Sequence, residues 1–398
     1  MTTNKGPVQR GWNFLQTPGP TNIPYRVLNA MNRPAVEFLG PDFVDFATTL
    51  LADLKALFKT EGEVVLYAAN GHGAWEAALS NVLKPGDKVL IPETGRFALS
   101  WGYMAGRLGI ETEVIENDWR VAIDPAQVEA RLAEDGAHEI KAVLLVHTDT
   151  GTGITSDVAG VAKAIAAAGH PALLMVDTIA SLLTTDYRMD EWGAAVTVGA
   201  GQKGLMLPPG LGFCAVNEKA MRVCRDNPNP RNYWDWRERV DPDEFYLAFC
   251  GTAPEHLMFG LREAIDMIRE EGEDAIFARH HRLSRAVHAA VDHWAGAGAL
   301  ENNAVNPDER STSVTTILVD DAYDPMDIRI ACRDRFNTGL GNGMGKIIKT
   351  SFRIGHMGDL NEPMILGALG AVEAGLKVAG VPYTPGGVEA AIASLTEN

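Results

Sequence analysis

Four places in the sequence combine residue type and spacing in a way that could do chemistry. Asp177 closes the apolar run Ala172-Leu173-Leu174-Met175-Val176. That puts a carboxylate at the carboxyl end of a predicted buried strand, where α/β sheets present ligand sites. It can accept a proton from a heteroaromatic ring nitrogen, although strand-end aspartates commonly bond nearby backbone amides instead. Lys203 stands in Gly199-Ala200-Gly201-Gln202-Lys203-Gly204, just ahead of Leu205-Met206-Leu207. Glycines and apolar neighbours hydrate an amine poorly, which lowers its pKa and leaves a neutral nucleophile able to form a Schiff base. The alternative is a lysine in a surface loop. Gly71-His72-Gly73-Ala74 opens a predicted helix whose free N–H groups can hold a phosphate, or can simply turn a strand into a helix. Arg353 lies on a predicted half-buried strand, Ser351-Phe352-Arg353-Ile354-Gly355-His356. Its guanidinium needs an anion there, either a substrate carboxylate or a structural ion-pair partner.

Taken together, the four are more specific than any one of them. Pyridoxal 5'-phosphate needs an amine for its aldehyde, an acid behind its pyridine ring, a phosphate cradle and a clamp for the carboxylate of an amino acid. Lys203 follows Asp177 by 26 residues.

The elements that must position these groups follow an α/β pattern. At 398 residues the chain predicts two to three domains at roughly 100–200 residues each. Short apolar strands alternate with amphipathic helices from Pro41 onward, the order of a mostly parallel sheet. Asp42 is the expected cap of a helix carrying Phe43, Phe46, Ala47, Leu50, Leu54 and Phe58. Strands are expected at Val64–Tyr67, Lys88–Ile91, Glu113–Ile115, Ala142–His147, Ala172–Asp177, Ala195–Val198 and Leu211–Val216. Helices are expected at Ala74–Val82, Val158–Ala168 and Glu218–Arg225. A long helical stretch begins at Pro254 and breaks near Glu271-Gly272-Glu273. Beyond it, strands near Val314–Val319 and Lys349–Ile354 and a helix near Met326–Phe336 read as a smaller α+β unit. The expected division is an N-terminal segment 1–24, a large domain 25–270 and a small domain 271–398.

Composition narrows the partners. Thirty-five Lys and Arg against 52 Asp and Glu give a net charge of −17, which repels phosphate backbones and anionic lipid. Neither nucleic acid nor a membrane is expected as partner. No apolar run approaches a bilayer span, and the polar start Met1 to Arg10 has no signal core, so a cytoplasmic protein is expected. The four cysteines are scattered, with no Cys-x-x-Cys pair, so neither a disulfide framework nor a metal site is expected.

The segments Pro18 to Pro24, Asp186 to Gly193, Gln202 to Gly210 and Phe352 to Gly358 resemble the pattern of the class V aminotransferases, fold-type I pyridoxal-phosphate enzymes. The likeness covers nearly the whole chain and is nearest the serine–glyoxylate and alanine–glyoxylate group. It implies a large, mostly parallel α/β domain with a smaller C-terminal α+β domain, and a homodimer or larger homo-oligomer. It further implies transfer of an amino group from a small amino acid of serine, alanine or aspartate type, or a bulkier donor, to glyoxylate or pyruvate in two half-reactions. By position, the resemblance makes Lys203 the cofactor-bonding lysine and general base, and Asp177 the partner of the ring nitrogen. Gly71, His72, Gly73 and Gln202 would line the phosphate, and Thr252 would reach the phosphate of a neighbouring subunit. Phe97 would stack on the ring, Thr150 and Thr152 would touch its hydroxyl and phosphate, and Arg353 would bind the substrate carboxylate.

The chain departs from the pattern in three places. Phe38-Leu39 stands where glyoxylate-using relatives usually have His-Arg, Gly251-Thr252-Ala253 where they tend to have Tyr-Thr-Pro, and Asp149 where they often have Glu. The first two suggest a roomier, less polar site. Two other readings are weighed against the transaminase. A cysteine desulfurase or related lyase needs a thiol on a mobile loop, but Cys332 falls in the helical pattern Met326 to Phe336. A non-catalytic α/β ligand-binding protein would bind no chromophore at Lys203.

Overall fold

A computed structural model describes residues 10–229 and 231–397, so most of the polar start, residues 1–9, lies outside the described residues. The main sheet has seven strands, in the order Glu63–Tyr67, Gly212–Val216, Val196–Ala200, Leu173–Asp177, Ile140–Val146, Lys88–Pro92, Glu111–Ile115. Only Gly212–Val216 runs antiparallel to its neighbours. The five strands from Val196–Ala200 to Glu111–Ile115 are parallel and end on one edge. Because the central strands are buried on both faces, they carry apolar runs such as residues 142–146 and 173–176 rather than an alternation.

Each face of the sheet is covered by helices. Pro41–Phe58, Val158–Ala167 and Glu255–Glu271 bury Leu50, Leu54, Val161, Met258 and Ile265 on one side. Gly71–Val82, Arg96–Arg107 and Glu218–Asp226 bury Trp75, Leu79, Trp101 and Met221 on the other. The helix after Gly40 starts one residue before the expected cap: Pro41 takes the first position and Asp42 lies in the first turn. Proline's missing N–H costs nothing there, and the Asp42 carboxylate meets the positive end of the helix dipole.

The second sheet has the order Phe14–Gln16, Thr338–Asn342, Ser351–Gly355, Val314–Val319, Leu300–Asn302. The N-terminal strand pairs with Thr338–Asn342, so both ends of the chain build this layer. The long helical stretch breaks at Gly272, whose φ of +83° suits glycine, giving the helices Glu255–Glu271 and Glu273–Trp294. Helices Pro325–Phe336, Glu362–Ala379 and Gly387–Thr396 share a core with it around Trp294, Phe352 and Leu369.

Buried polar groups brace the two sheets against each other. Asn303 Nδ2 donates to the carbonyls of Trp119 at 2.7 Å and Thr152 at 2.9 Å, and the Thr316 hydroxyl donates to the Gly151 carbonyl. Asn303→Ala leaves two buried carbonyls unpaired and is expected to cost about 2–4 kcal/mol. Denaturant unfolding checks this, with Asn303→Asp as a control that keeps the shape and loses the donors.

Candidate active site

The parallel strands bring the chemistry-bearing residues to one edge. Gly71 and His72 follow the strand Glu63–Tyr67, Phe97 follows Lys88–Pro92, and Thr148 and Thr150 follow Ile140–Val146. Asp177 ends its own strand, and Gln202 and Lys203 follow Val196–Ala200. All of these line a single cavity, together with Trp75, Ile179 and Ala180.

Asp177 is buried and forms no ion pair among the described residues. One carboxylate oxygen accepts from the Ile179 N–H at 2.7 Å and the other from the Trp75 indole at 2.9 Å. Desolvation outweighs both bonds and raises its pKa to about 7. Thus the site holds an acid whose charged form lacks a full counter-charge. A cation carried by a ligand in the cavity would supply one.

Lys203 keeps some residue surface exposed, but its amine is enclosed and donates to the Pro18 carbonyl. Desolvation, aided by the positive charge of Arg353, lowers its pKa to about 8, while Asp177 opposes the shift. The neutral nucleophile that sequence alone suggested is therefore available near neutral pH. Gly19 is required here, because a Cβ at this position, with φ +95°, would lie 2.5 Å from the lysine Nζ. The Thr21 hydroxyl also donates to the Lys203 carbonyl at 3.2 Å, so the segment 17–21 forms a wall over the lysine.

The phosphate-type turn is tighter than expected. The helix begins at Gly71 rather than Ala74, because Asn70 Oδ1 accepts from the His72 and Gly73 N–H groups at 3.1 and 3.3 Å. Gly71 and His72 line the cavity; Gly73 does not, and its N–H is already taken by the cap. Burial, with help from Arg96, pushes His72 below the usual histidine range. Gln202 Oε1 is buried with no partner among the described residues, and the amide can turn either end to a ligand.

Thr150 faces the cavity, but Thr152 turns away: its hydroxyl donates to the carbonyls of Thr94 and Asp149. Asp149 does not face a ligand either. It caps Arg96–Arg107 from 52 residues away, accepting from the Phe97 N–H at 2.7 Å and the Ala98 N–H at 3.2 Å, and so holds Phe97 at the cavity. Arg353 is buried beside the site, donating from Nε to the Asn342 carbonyl at 2.5 Å and from a terminal nitrogen to the Thr150 carbonyl at 2.7 Å. Burial lowers its pKa to about 10. Thr252 is exposed on the surface and does not line this cavity.

The departures from the pattern also lie off the cavity. Phe38 packs against Tyr246 at 6.5 Å between ring centroids, Leu39 is 53% exposed, and Gly251, at φ +141°, occupies backbone that a tyrosine rarely adopts. The roomier-site expectation therefore finds no support within the cavity of a single chain. Trp75 is the principal residue that the sequence reading missed. A tryptophan one turn into the helix Gly71–Val82, beside Ala74, Ala77 and Ala78, was its signal, since a buried indole N–H needs an acceptor. Cys332 is buried in Pro325–Phe336, its thiol donates to the Ala371 carbonyl at 3.5 Å, and burial raises its pKa to about 12. It is not the mobile thiol that a desulfurase needs.

The chain matches the family model "Aminotransferase class-V" over residues 14–344. It is 42% identical over 397 residues to the serine–glyoxylate aminotransferase of Methylorubrum extorquens, covering 98% of this chain and 97% of the relative. To the L-aspartate–glyoxylate aminotransferase of Paracoccus denitrificans it is 37% identical, covering 95% of each. The solved ureidoglycine–glyoxylate aminotransferase of Bacillus subtilis superposes with a TM-score of 0.88 at 25% identity, covering 98% of this chain and all of that one.

Two outcomes follow for Asp177. Its folded-state pKa is raised, so between the usual carboxylate pKa and about 7 the cofactor-free native state binds more protons than the unfolded chain and loses stability as pH rises. Asp177→Asn should remove that loss, gaining stability over the parent as pH climbs through this window in chemical denaturation. Trp75→Phe keeps the ring and removes the donor to the carboxylate. It should weaken pyridoxal phosphate binding by about tenfold, given the worth of a hydrogen bond to a charged group, as measured by titration of the cofactor-free protein.

Proposed function

The chain belongs to the class V aminotransferases, fold-type I enzymes that depend on pyridoxal 5'-phosphate, and on that premise we propose that it moves the amino group of a small monocarboxylic amino acid, of serine or alanine type, to glyoxylate. The observation that carries this reading is one cavity lined by both the poorly hydrated Lys203 amine and the uncompensated Asp177 carboxylate. The names of the relatives support glyoxylate as acceptor. A monocarboxylic donor is favoured by the relatives named for serine, and Arg353, held beside the cavity, supplies a guanidinium for its one carboxylate.

The residues present fit the cofactor. Lys203 would hold it through the amine, Asp177 would face its ring nitrogen, Phe97 would cover the ring, and Gly71, His72 and Gln202 would surround its phosphate. When bound, pyridoxal phosphate supplies an aldehyde that condenses with amines and a ring that takes up electron density from the α-carbon. Asp177 keeps a negative charge behind that ring, its orientation fixed by Trp75 and Ile179. Lys203 Nζ, its pKa lowered to about 8 so that a share of it is neutral near pH 7, would take the α-proton of the amino donor once the donor's amine has replaced it on the cofactor, and would return a proton to the acceptor carbon in the second half-reaction. Arg353 binds the substrate carboxylate and so aims the α-carbon at Lys203. The wall of Pro18 and Gly19 limits water at the amine.

Three further points belong to the same proposal. The enzyme acts as a homodimer in which the exposed Thr252 reaches a neighbour's site, supported by exposed apolar side chains at Trp12, Tyr25, Leu39 and Tyr246. It works in the cytoplasm, in keeping with the absence, among the described residues, of any helix long and apolar enough to cross a membrane. Phe38, Leu39 and Gly251 act on specificity only across a subunit boundary.

Borohydride reduction of the yellow holoenzyme, followed by peptide mass analysis, should place the cofactor adduct on Lys203, and Lys203→Ala should lose turnover. An unmodified Lys203 peptide overturns the reading. Arg353→Gln should raise KM for glyoxylate by about 10- to 150-fold, the range set by a charge-assisted hydrogen bond. A donor panel of serine, alanine, aspartate and a bulky amino acid decides the substrate class, and preference for aspartate contradicts it.

A further inference from the structure

Arg353 is oriented by two backbone carbonyls rather than by an acid. One of them, that of Asn342, belongs to a run that alternates glycine with other residues: Gly341-Asn342-Gly343-Met344-Gly345. Each glycine is needed for close approach. A Cβ on Gly341 would lie 2.8 Å from Pro18 Cδ and 3.1 Å from Arg353 Cβ. On Gly343 it would meet the Ser351 hydroxyl at 2.4 Å, and on Gly345, at φ +53°, it would meet the Trp119 ring at 2.4 Å. The run thus lies pressed between the arginine at one end and the main-sheet layer at the other.

What fastens the far end is an ion pair. Lys346 Nζ lies 2.5 Å from Glu93 Oε1, and the Trp119 indole donates to the same oxygen at 2.8 Å. The lysine amine also sits 5.3 Å from the centre of the Trp119 ring. Glu93 is 2% exposed and follows the strand Lys88–Pro92, on the edge of the main sheet that holds the cavity. Lys346 is the only cation given to this buried carboxylate among the described residues. The sheet pairing of Asn342 with Phe352 and the bond from the Gly343 N–H to the Ser351 carbonyl at 3.0 Å hold one end of the run, while the glycine-rich backbone beyond them has little stiffness of its own and relies on what fastens its far end.

We propose that Lys346 is a positioning residue: by pairing with Glu93 it tethers the run 341–345 to the main sheet and so fixes the carbonyl that holds Arg353 in its carboxylate-binding orientation. The proposal rests on the reading of Arg353 as the substrate clamp. It gives the ion pair a specific output, the affinity for the carboxylate of both substrates, without contact between Lys346 and either substrate.

The test uses the holoenzyme with Lys346→Met, Lys346→Arg, Glu93→Gln and Arg353→Gln. The ammonium is 59% exposed on its side chain, so Lys346→Met should fold, and thermal unfolding and the cofactor absorbance check that. We expect Lys346→Met to raise KM for donor and acceptor together by about three- to fivefold, the size of a partly exposed ion pair. Saturated kcat and the absorbance spectrum should be unchanged, since the clamp acts on binding. Lys346→Arg should restore KM, and Lys346→Met should add nothing in the Glu93→Gln or Arg353→Gln background. Unchanged KM in Lys346→Met, with or without a lowered Tm, overturns the proposal while leaving Arg353 as the clamp if Arg353→Gln still raises KM. Should Arg353→Gln leave KM unchanged, the clamp reading falls and this proposal falls with it. A KM increase in Lys346→Met that persists undiminished in the Arg353→Gln background also overturns it.

Discussion

A carboxylate held out of water without a full counter-charge is the constraint on which the site depends. Asp177 sits at the end of a central strand, buried on all sides, with one indole and one backbone N–H as its donors. Two such bonds do not offset the loss of hydration, and its pKa rises toward neutrality. A fold meant only for stability would replace this acid with an apolar residue. Its retention makes sense where a cation arrives with the cofactor, because a charge that is costly in the empty site becomes a strong attraction once paired. The same burial acts in the opposite sense on Lys203, favouring its neutral form. One desolvated pocket therefore prepares both groups for their separate tasks.

The rest of the architecture holds these two groups in register. Five parallel strands end on one edge, which brings to one cavity residues as far apart in sequence as Gly71 and Lys203. The second sheet adds Arg353 from the other side, and Asn303, Thr316 and the Glu93–Lys346 pair join the two layers. The N-terminal strand belongs to the second sheet, yet the residues just after it cover Lys203, so the wall of the site spans both layers.

Most of the fold and the centre of the site were legible in the sequence, for local reasons. Unbroken apolar runs marked the central strands, and glycine at 272 marked the break between two helices. Asp177, Lys203, Gly71, His72, Phe97, Thr150 and Gln202 do converge on one cavity. What escaped depends on contacts distant in sequence. The helix Arg96–Arg107 has no side-chain cap of its own and borrows Asp149, so its start carries no local signal. Thr152 was placed at the cofactor by position alone, whereas its hydroxyl is engaged by the Thr94 carbonyl, and Gly73 is silenced by the Asn70 cap. The expected polarity change from Phe38 and Gly251 fell outside the cavity because neither residue approaches it within one chain.

The protonation state of the cofactor's ring nitrogen tests the central claim most directly. Nitrogen NMR of the holoenzyme carrying isotope-labelled pyridoxal phosphate should show that nitrogen protonated at mildly alkaline pH, and Asp177→Asn should shift it to the deprotonated form. A deprotonated ring nitrogen in the parent enzyme would contradict the pairing with Asp177 and the account built on it.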